Sequence, residues 1–149
     1  MSELAARNGQ ERADALLRLT RRLTDLIENE TQLFRLRRPQ DALALQDEKS
    51  QLANIYRAEV ARAGNDPERF AGASAQAKSL LRTATERFHT SLADNARAVT
   101  ALKVITEGVV RAIADEAVRQ RSTANGYGPG ATHRVQRSGT MPITLNQTA

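Results

Sequence analysis

The chain has 149 residues, 40% apolar and 26% charged, with 22 Lys and Arg against 17 Asp and Glu for a formal net charge of +5. That length suits one domain, and a chain rich in Ala, Leu, Arg, Gln and Glu with only 3% aromatic residues favours long helices over sheet. With no cysteine, disulfides and thiolate metal or redox centres are excluded. No apolar run approaches the roughly 18 residues that span a bilayer, and the N-terminus lacks a signal-peptide core, so a cytoplasmic protein with no membrane span is expected.

Residues 1–10 read as a frayed leader. The first helix is expected over residues 11–36, where Leu16, Leu19, Leu23, Leu26, Glu30 and Leu33 alternate steps of three and four in a heptad stripe. Ile27 and Phe34 widen that stripe enough to touch two partners. Glu30 is its polar intruder, and a carboxylate on such a seam is costly if buried unpaired. It is read as lying at an open end of the seam or as paired with a Lys or Arg from the facing helix, in preference to a catalytic or metal-binding role. Arg35, Arg37 and Arg38 cluster at the helix end, where cations offset the negative end of the dipole; a structural role is preferred there to a phosphate site.

Pro39 ends this helix and opens the next, so a short antiparallel connection is expected. The second helix is placed at residues 39–63, with Leu45, Leu52, Ile55 or Tyr56, and Val60 on its apolar face. Asp47, Glu48 and Lys49 are assigned to the solvated face, and Gly64-Asn65 to the stop. Asp66-Pro67-Glu68 reads as the cap and first turn of a third helix over residues 67–120. Its stripe is read as Phe70, Ala73, Ala77, Leu80/Leu81, Ala84, Phe88, Leu92, Val99, Leu102, Ile105, Val109, Ile113 and Ala117.

Each hairpin arm would be roughly 37 Å long and the third helix about twice that. The apolar residues from Val99 to Ile113 would then overhang the hairpin. Either the helix breaks near Asp94-Asn95 and folds back as a fourth helix, or the overhang binds another protein or a second copy. Gly108 weakens this distal half by about 1 kcal/mol relative to Ala. The expected fold is all-α: an antiparallel helical hairpin packed on one long third helix, a coiled-coil-like three-helix bundle over residues 1–121. Residues 122–149 form a disordered Gly/Pro/Thr-rich tail, since 13 of those 28 residues are Gly, Pro, Ser or Thr. Within it Met141, Ile143 and Leu145 alternate, and as an extended linear motif they could add to a partner's sheet edge.

Charge and motif content narrow the function. Arg134 and Arg137 are the tail's charged residues, which leaves residues 1–121 with 20 basic against 17 acidic residues, too balanced for the dense basic stripe of a nucleic-acid binder. Phosphate-binding glycine loops, the serine-nucleophile elbow and H-E-x-x-H are all absent. His89 and His133 have no ligand-spaced companions, and Glu86-Arg87-Phe88-His89 is a single E-x-x-H, whereas a di-iron bundle needs a pair. The sequence is read as a non-enzyme with no cofactor and no metal.

Glu30-Thr-Gln-Leu33-Phe34, Arg38-Pro39-Gln40, the L-x-x-x-K-x-x-L run Leu45-Lys49-Leu52, and Tyr56 together resemble flagellar export chaperones of the FlgN type. The likeness is closest to alphaproteobacterial forms, which the tail's Tyr127-Gly128-Pro129-Gly130 and Leu145-Asn146-Gln147 also resemble. The resemblance implies a type III secretion-linked chaperone that holds hook-associated (hook–filament junction) proteins unassembled and delivers them to the flagellar export apparatus. It further implies that cargo is gripped by the distal amphipathic helix, here Val99, Leu102, Ile105, Val109, Val110 and Ile113. A homo-oligomeric coiled-coil scaffold or regulatory protein, such as a homodimer, would cover the same stripe with a second copy.

Overall fold

A computed structural model describes residues 4–126, and among these every regular element is helical, with no strand. The order is α1 (Gly9–Arg35), a 3-10 helix (Pro39–Leu45), α2 (Gln46–Asn65) and α3 (Ala75–Gly126). The chain divides into two compact units, Met1–Val104 and Ile105–Ala149, and α3 contributes to both.

In the first unit α1 is the central element. Leu16, Leu19, Leu23 and Leu26 are buried as the heptad requires, and so are Ala13, Leu17 and Ile27. Leu23 and Ile27 meet Leu52, Ala53 and Tyr56 of α2 and Phe88 of α3, so the widened stripe does serve two partners. The Tyr56 and Phe88 rings lie 4.8 Å apart in a tilted pair. Thr20, Thr24 and Thr31 are also buried, each hydroxyl donating to the carbonyl four residues back.

The helix ends differ from the expected ones. α1 begins at Gly9 because Asn8 Oδ1 accepts the Glu11 N–H at 2.9 Å, so the leader is capped rather than frayed there. It ends in a Schellman reversal. Arg37 takes a left-handed φ of 58°, while the Arg38 N–H reaches the Leu33 carbonyl at 2.8 Å and the Arg37 N–H the Phe34 carbonyl at 3.0 Å. Arg38 then pairs with Asp41 at 2.6 Å, so the arginine cluster is built into the chain reversal.

What was expected as one second helix starts as the 3-10 segment and becomes α-helical only at Gln46. The largest revision is the start of α3. Asp66 caps only a local turn, accepting the Glu68 N–H at 3.1 Å, and residues 67–72 remain turns. Gly72 adopts φ 84°, and Ser74 is the actual cap, its Oγ accepting the Ala77 N–H at 3.0 Å. α3 then runs unbroken through Asp94 and Asn95 to Gly126, past the expected end at residue 120 and into the first residues assigned to the tail.

The seam of α3 follows the expected stripe through Ala77, Leu81, Ala84 and Phe88, and shifts by one position only beyond Phe88, to Ser91 and Ala98. Ala77, Ala84, Ser91 and Ala98 are buried at intervals of seven, interleaved with half-buried Leu81, buried Phe88 and half-buried Asn95. Leu92 and Val99, expected on the stripe, are 41% and 44% exposed. From Leu45 at the end of the 3-10 helix the seam passes along α2 through Lys49, Leu52, Tyr56 and Glu59, which leaves Val60 exposed instead of buried. The α3 seam is built largely of small residues, while the charged members of the α2 seam need partners.

Candidate functional site

Two buried carboxylates meet that need. Glu30, only 3% exposed, receives Lys49 Nζ and, at 2.8 Å, Gln46 Nε2 on Oε2, with Asn95 Nδ2 at 3.1 Å on Oε1. One side chain of α1 thereby ties both α2 and α3. Burial pushes its pKa up, but the hydrogen bonds from Lys49, Gln46 and Asn95 outweigh that effect and hold it below the ordinary carboxylate value. Lys49 is thus a seam residue paired with Glu30, not a member of the solvated face. The pairing of Glu30 with a lysine from the facing helix is the arrangement its heptad position called for.

The second carboxylate, Glu59, is fully buried, at a position its residue type does not mark as part of the seam. Arg69 binds it in bidentate fashion at 2.7 and 2.9 Å, and Arg12 Nε lies 3.8 Å away. Arg12 Nη1 also donates to the Arg69 carbonyl at 2.9 Å, and Gln10 Oε1 accepts the Ser74 N–H at 2.7 Å. The start of α1 is therefore clamped onto the segment that leads into α3. The signal available in the sequence was the spacing alone: Tyr56 plus three is Glu59, a seam position in a frame set by Leu45, Lys49 and Leu52.

Outside the seam, Glu28 is bound by Arg87 at 3.1 and 2.7 Å and by Ser91 Oγ at 2.8 Å, which lowers its pKa chiefly through the Arg87 hydrogen bond. Arg22 and Glu48 form a bidentate pair at 2.7 and 2.8 Å on the surface between α1 and α2. These contacts hold helices together. Among the described residues no three His, Asp or Glu side chains converge as a metal site requires, and His89 is exposed beside Phe88.

Of the expected cargo-binding residues, Val99 is exposed and Leu102 half-buried, both in the first unit. Ile105, Val109, Val110 and Ile113 belong to the second. All four are exposed, Val109 at 53% and Ile113 at 65%, and Val118 beyond them is exposed too. They lie on one continuous helix, α3, so Ile105, Val109 and Ile113 recur at four-residue steps along a single apolar face. Gly108 sits within this segment with open space around it. Met141, Ile143 and Leu145 lie outside the described residues.

The fold and these sites define an all-α protein: a hairpin registered by buried ion pairs, and a long third helix that carries a bare apolar face. Over 147 residues the chain is 39% identical to the flagellar basal-body protein FlbY of Caulobacter vibrioides, an alignment that takes in 98% of this chain and 99% of that protein. The chain belongs to the FlbY family, a flagellum-associated family. No protein-family model matches the chain, and no solved structure matches it. Among the described residues no helix is long and apolar enough to cross a membrane.

Proposed function

We propose that the protein is a flagellar export chaperone that acts in the cytoplasm at the base of the flagellum. Its cargo would be hook-associated junction proteins, passed on to the export apparatus. It works by binding and not by catalysis, and needs no cofactor. The observation that carries this reading is the exposed row Ile105, Val109, Val110 and Ile113. Apolar faces of that width are rarely left to water in a protein that works alone, and an amphipathic segment of an unassembled cargo would cover them. Membership of a flagellar family supplies the context, and the hairpin motifs that resemble FlgN-type chaperones agree with it. Release at the export apparatus then requires only a competing surface.

Sedimentation of the full chain with and without a purified junction protein tests this reading. A discrete complex of the two proteins is expected. Self-association of the chain with no uptake of junction protein would replace the chaperone with a coiled-coil scaffold.

A further inference from the structure

Ile105, Val109 and Ile113 stand on α3 at steps of about 6 Å and span about 12 Å, while Glu107 and Arg111 lie on the opposite side of the helix. The row is therefore uncharged as well as exposed. From Ile113 to Gly126, where α3 ends, is about 20 Å along the axis. Beyond Gly126 the sequence carries one alternating apolar run, Met141, Ile143 and Leu145, within residues 138–149, which contain no charged side chain. Pro142 has its φ fixed and no N–H to satisfy, and it biases Met141 toward an extended backbone. In an extended chain alternate side chains are about 6.7 Å apart, so these three span about 13 Å.

We propose that Met141–Leu145 folds back onto this row within the same chain, antiparallel to α3, and that cargo must displace it. Met141 then lies over Ile113, Ile143 over Val109 and Leu145 over Ile105, three apolar side chains matched to three within about 1 Å over the whole run. Reach permits this. The 15-residue step from Gly126 to Met141 includes Gly128, Gly130 and Gly139. A glycine-containing linker of that length has an r.m.s. span of about 20 Å, the distance back to Ile113. A tether matched to its span gives a local concentration in the millimolar range. A contact with a dissociation constant of about 1 mM is then about half-formed, although two separate chains would scarcely make it. Row and segment both belong to the second unit. The contact stands by itself, while its role as a brake rests on the reading of this row as the cargo face.

The chain contains no tryptophan, so Ile143→Trp in the full chain makes a single reporter on the segment. Its emission should lie at shorter wavelength than in the urea-unfolded chain, at every protein concentration. Val109→Asp with Ile113→Asp should return it to the unfolded wavelength with the helical circular dichroism unchanged, since both positions are exposed. An unfolded-like wavelength in the native chain, or a shift that survives those two charges, would overturn the contact. A shift that grows with protein concentration would place the segment on a second copy and overturn it too. No junction protein enters these arms, so they stand or fall apart from the proposed function. For the brake, Ile143→Asp with Leu145→Asp should bind junction protein at least about twofold more tightly than the parent, the gain from uncovering a half-covered row. Equal affinities would overturn the brake. Binding by neither form, with the emission shift intact, would remove the chaperone reading and the brake with it, and leave the contact supported.

Discussion

Glu30 on α1 and Asn95 on α3, 65 residues apart in the chain, share a hydrogen bond of 3.1 Å while the other oxygen of the same carboxylate takes Lys49 from α2. A single buried group thus closes the three-helix unit. Glu30 and Lys49 sit on facing seams, so sliding either helix by a heptad would bury one charge without the other, a cost that fixes the register. At the other end of α2, Glu59 is bound by Arg69 of the following turn and lies 3.8 Å from Arg12 Nε of α1.

Removing Glu30 should therefore cost more than removing a surface acid. Glu30→Ala removes one of the two acceptors of Gln46 and of Asn95, which keep the Ala42 carbonyl and Thr31 Oγ1, and Lys49, partly exposed, can turn toward water. The expected loss is about 1–3 kcal/mol in urea unfolding. Asn95→Ala should cost about 1 kcal/mol and be non-additive with Glu30→Ala, because the two residues share a network. Additive losses would mean that the hydrogen bond between them contributes nothing.

The same carboxylate sets a pH dependence. Its folded pKa lies below the ordinary glutamate value of about 4.3, so the folded state binds this proton less readily than the unfolded chain. The contribution is complete above the unfolded value and is lost as pH falls through the lowered folded one. Glu28 acts in the same direction through Arg87. Urea melts between about pH 5 and pH 2 should show stability falling on acidification, with a shallower fall in Glu30→Gln. An identical slope in the variant would show that Glu30 does not titrate in that window.

Two helical glycines should respond oppositely to alanine. At Gly9 an added Cβ would lie 1.9 Å from the Ala71 carbonyl oxygen and 2.7 Å from the Phe70 carbonyl carbon, both backbone atoms. Gly9→Ala should lower stability by about 1–3 kcal/mol despite its better helix propensity, because the α1 start must back away from the clamp. At Gly108 the space is open, and Gly108→Ala should stabilise α3 by about 1 kcal/mol. Thermal melts followed by circular dichroism would separate the two, and equal shifts would contradict the close approach at Gly9.

The outline of the fold was legible because it is written in local spacing. The leucine heptad of α1, the proline that follows its end and the Gly64-Asn65 stop place the hairpin with no knowledge of tertiary contacts. What was not legible depends on distant partners. Asp66-Pro67-Glu68 has the composition of a helix start, yet that segment is fixed as turns by Gln10, Arg12 and Glu59, residues far away in sequence. Hydrophobicity points the α3 stripe toward Leu92 and Val99, whereas the small Ser91, bound to Glu28 of α1, and Ala98 are the residues buried. The role of Glu59 is not legible because nothing local announces Arg69 as its partner. The distal row was readable as a pattern, since Ile105, Val109 and Ile113 repeat at helical spacing.

That row gives the prediction that separates binding from folding. Val109 and Ile113 are more than half exposed on α3 in the second unit. A carboxylate introduced at an exposed position stays solvated, so Val109→Asp with Ile113→Asp should shift the thermal melt little. If the row is the cargo face, the same pair of charges would have to be buried against the cargo's apolar segment without partners, and binding to a junction protein should be lost. If the row is instead a seam between two copies, the variant should sediment as a folded monomer where the parent is a dimer. One melt, one sedimentation run and one binding assay on this variant decide among these outcomes. Retained junction-protein binding by the folded variant would remove the cargo site from this face.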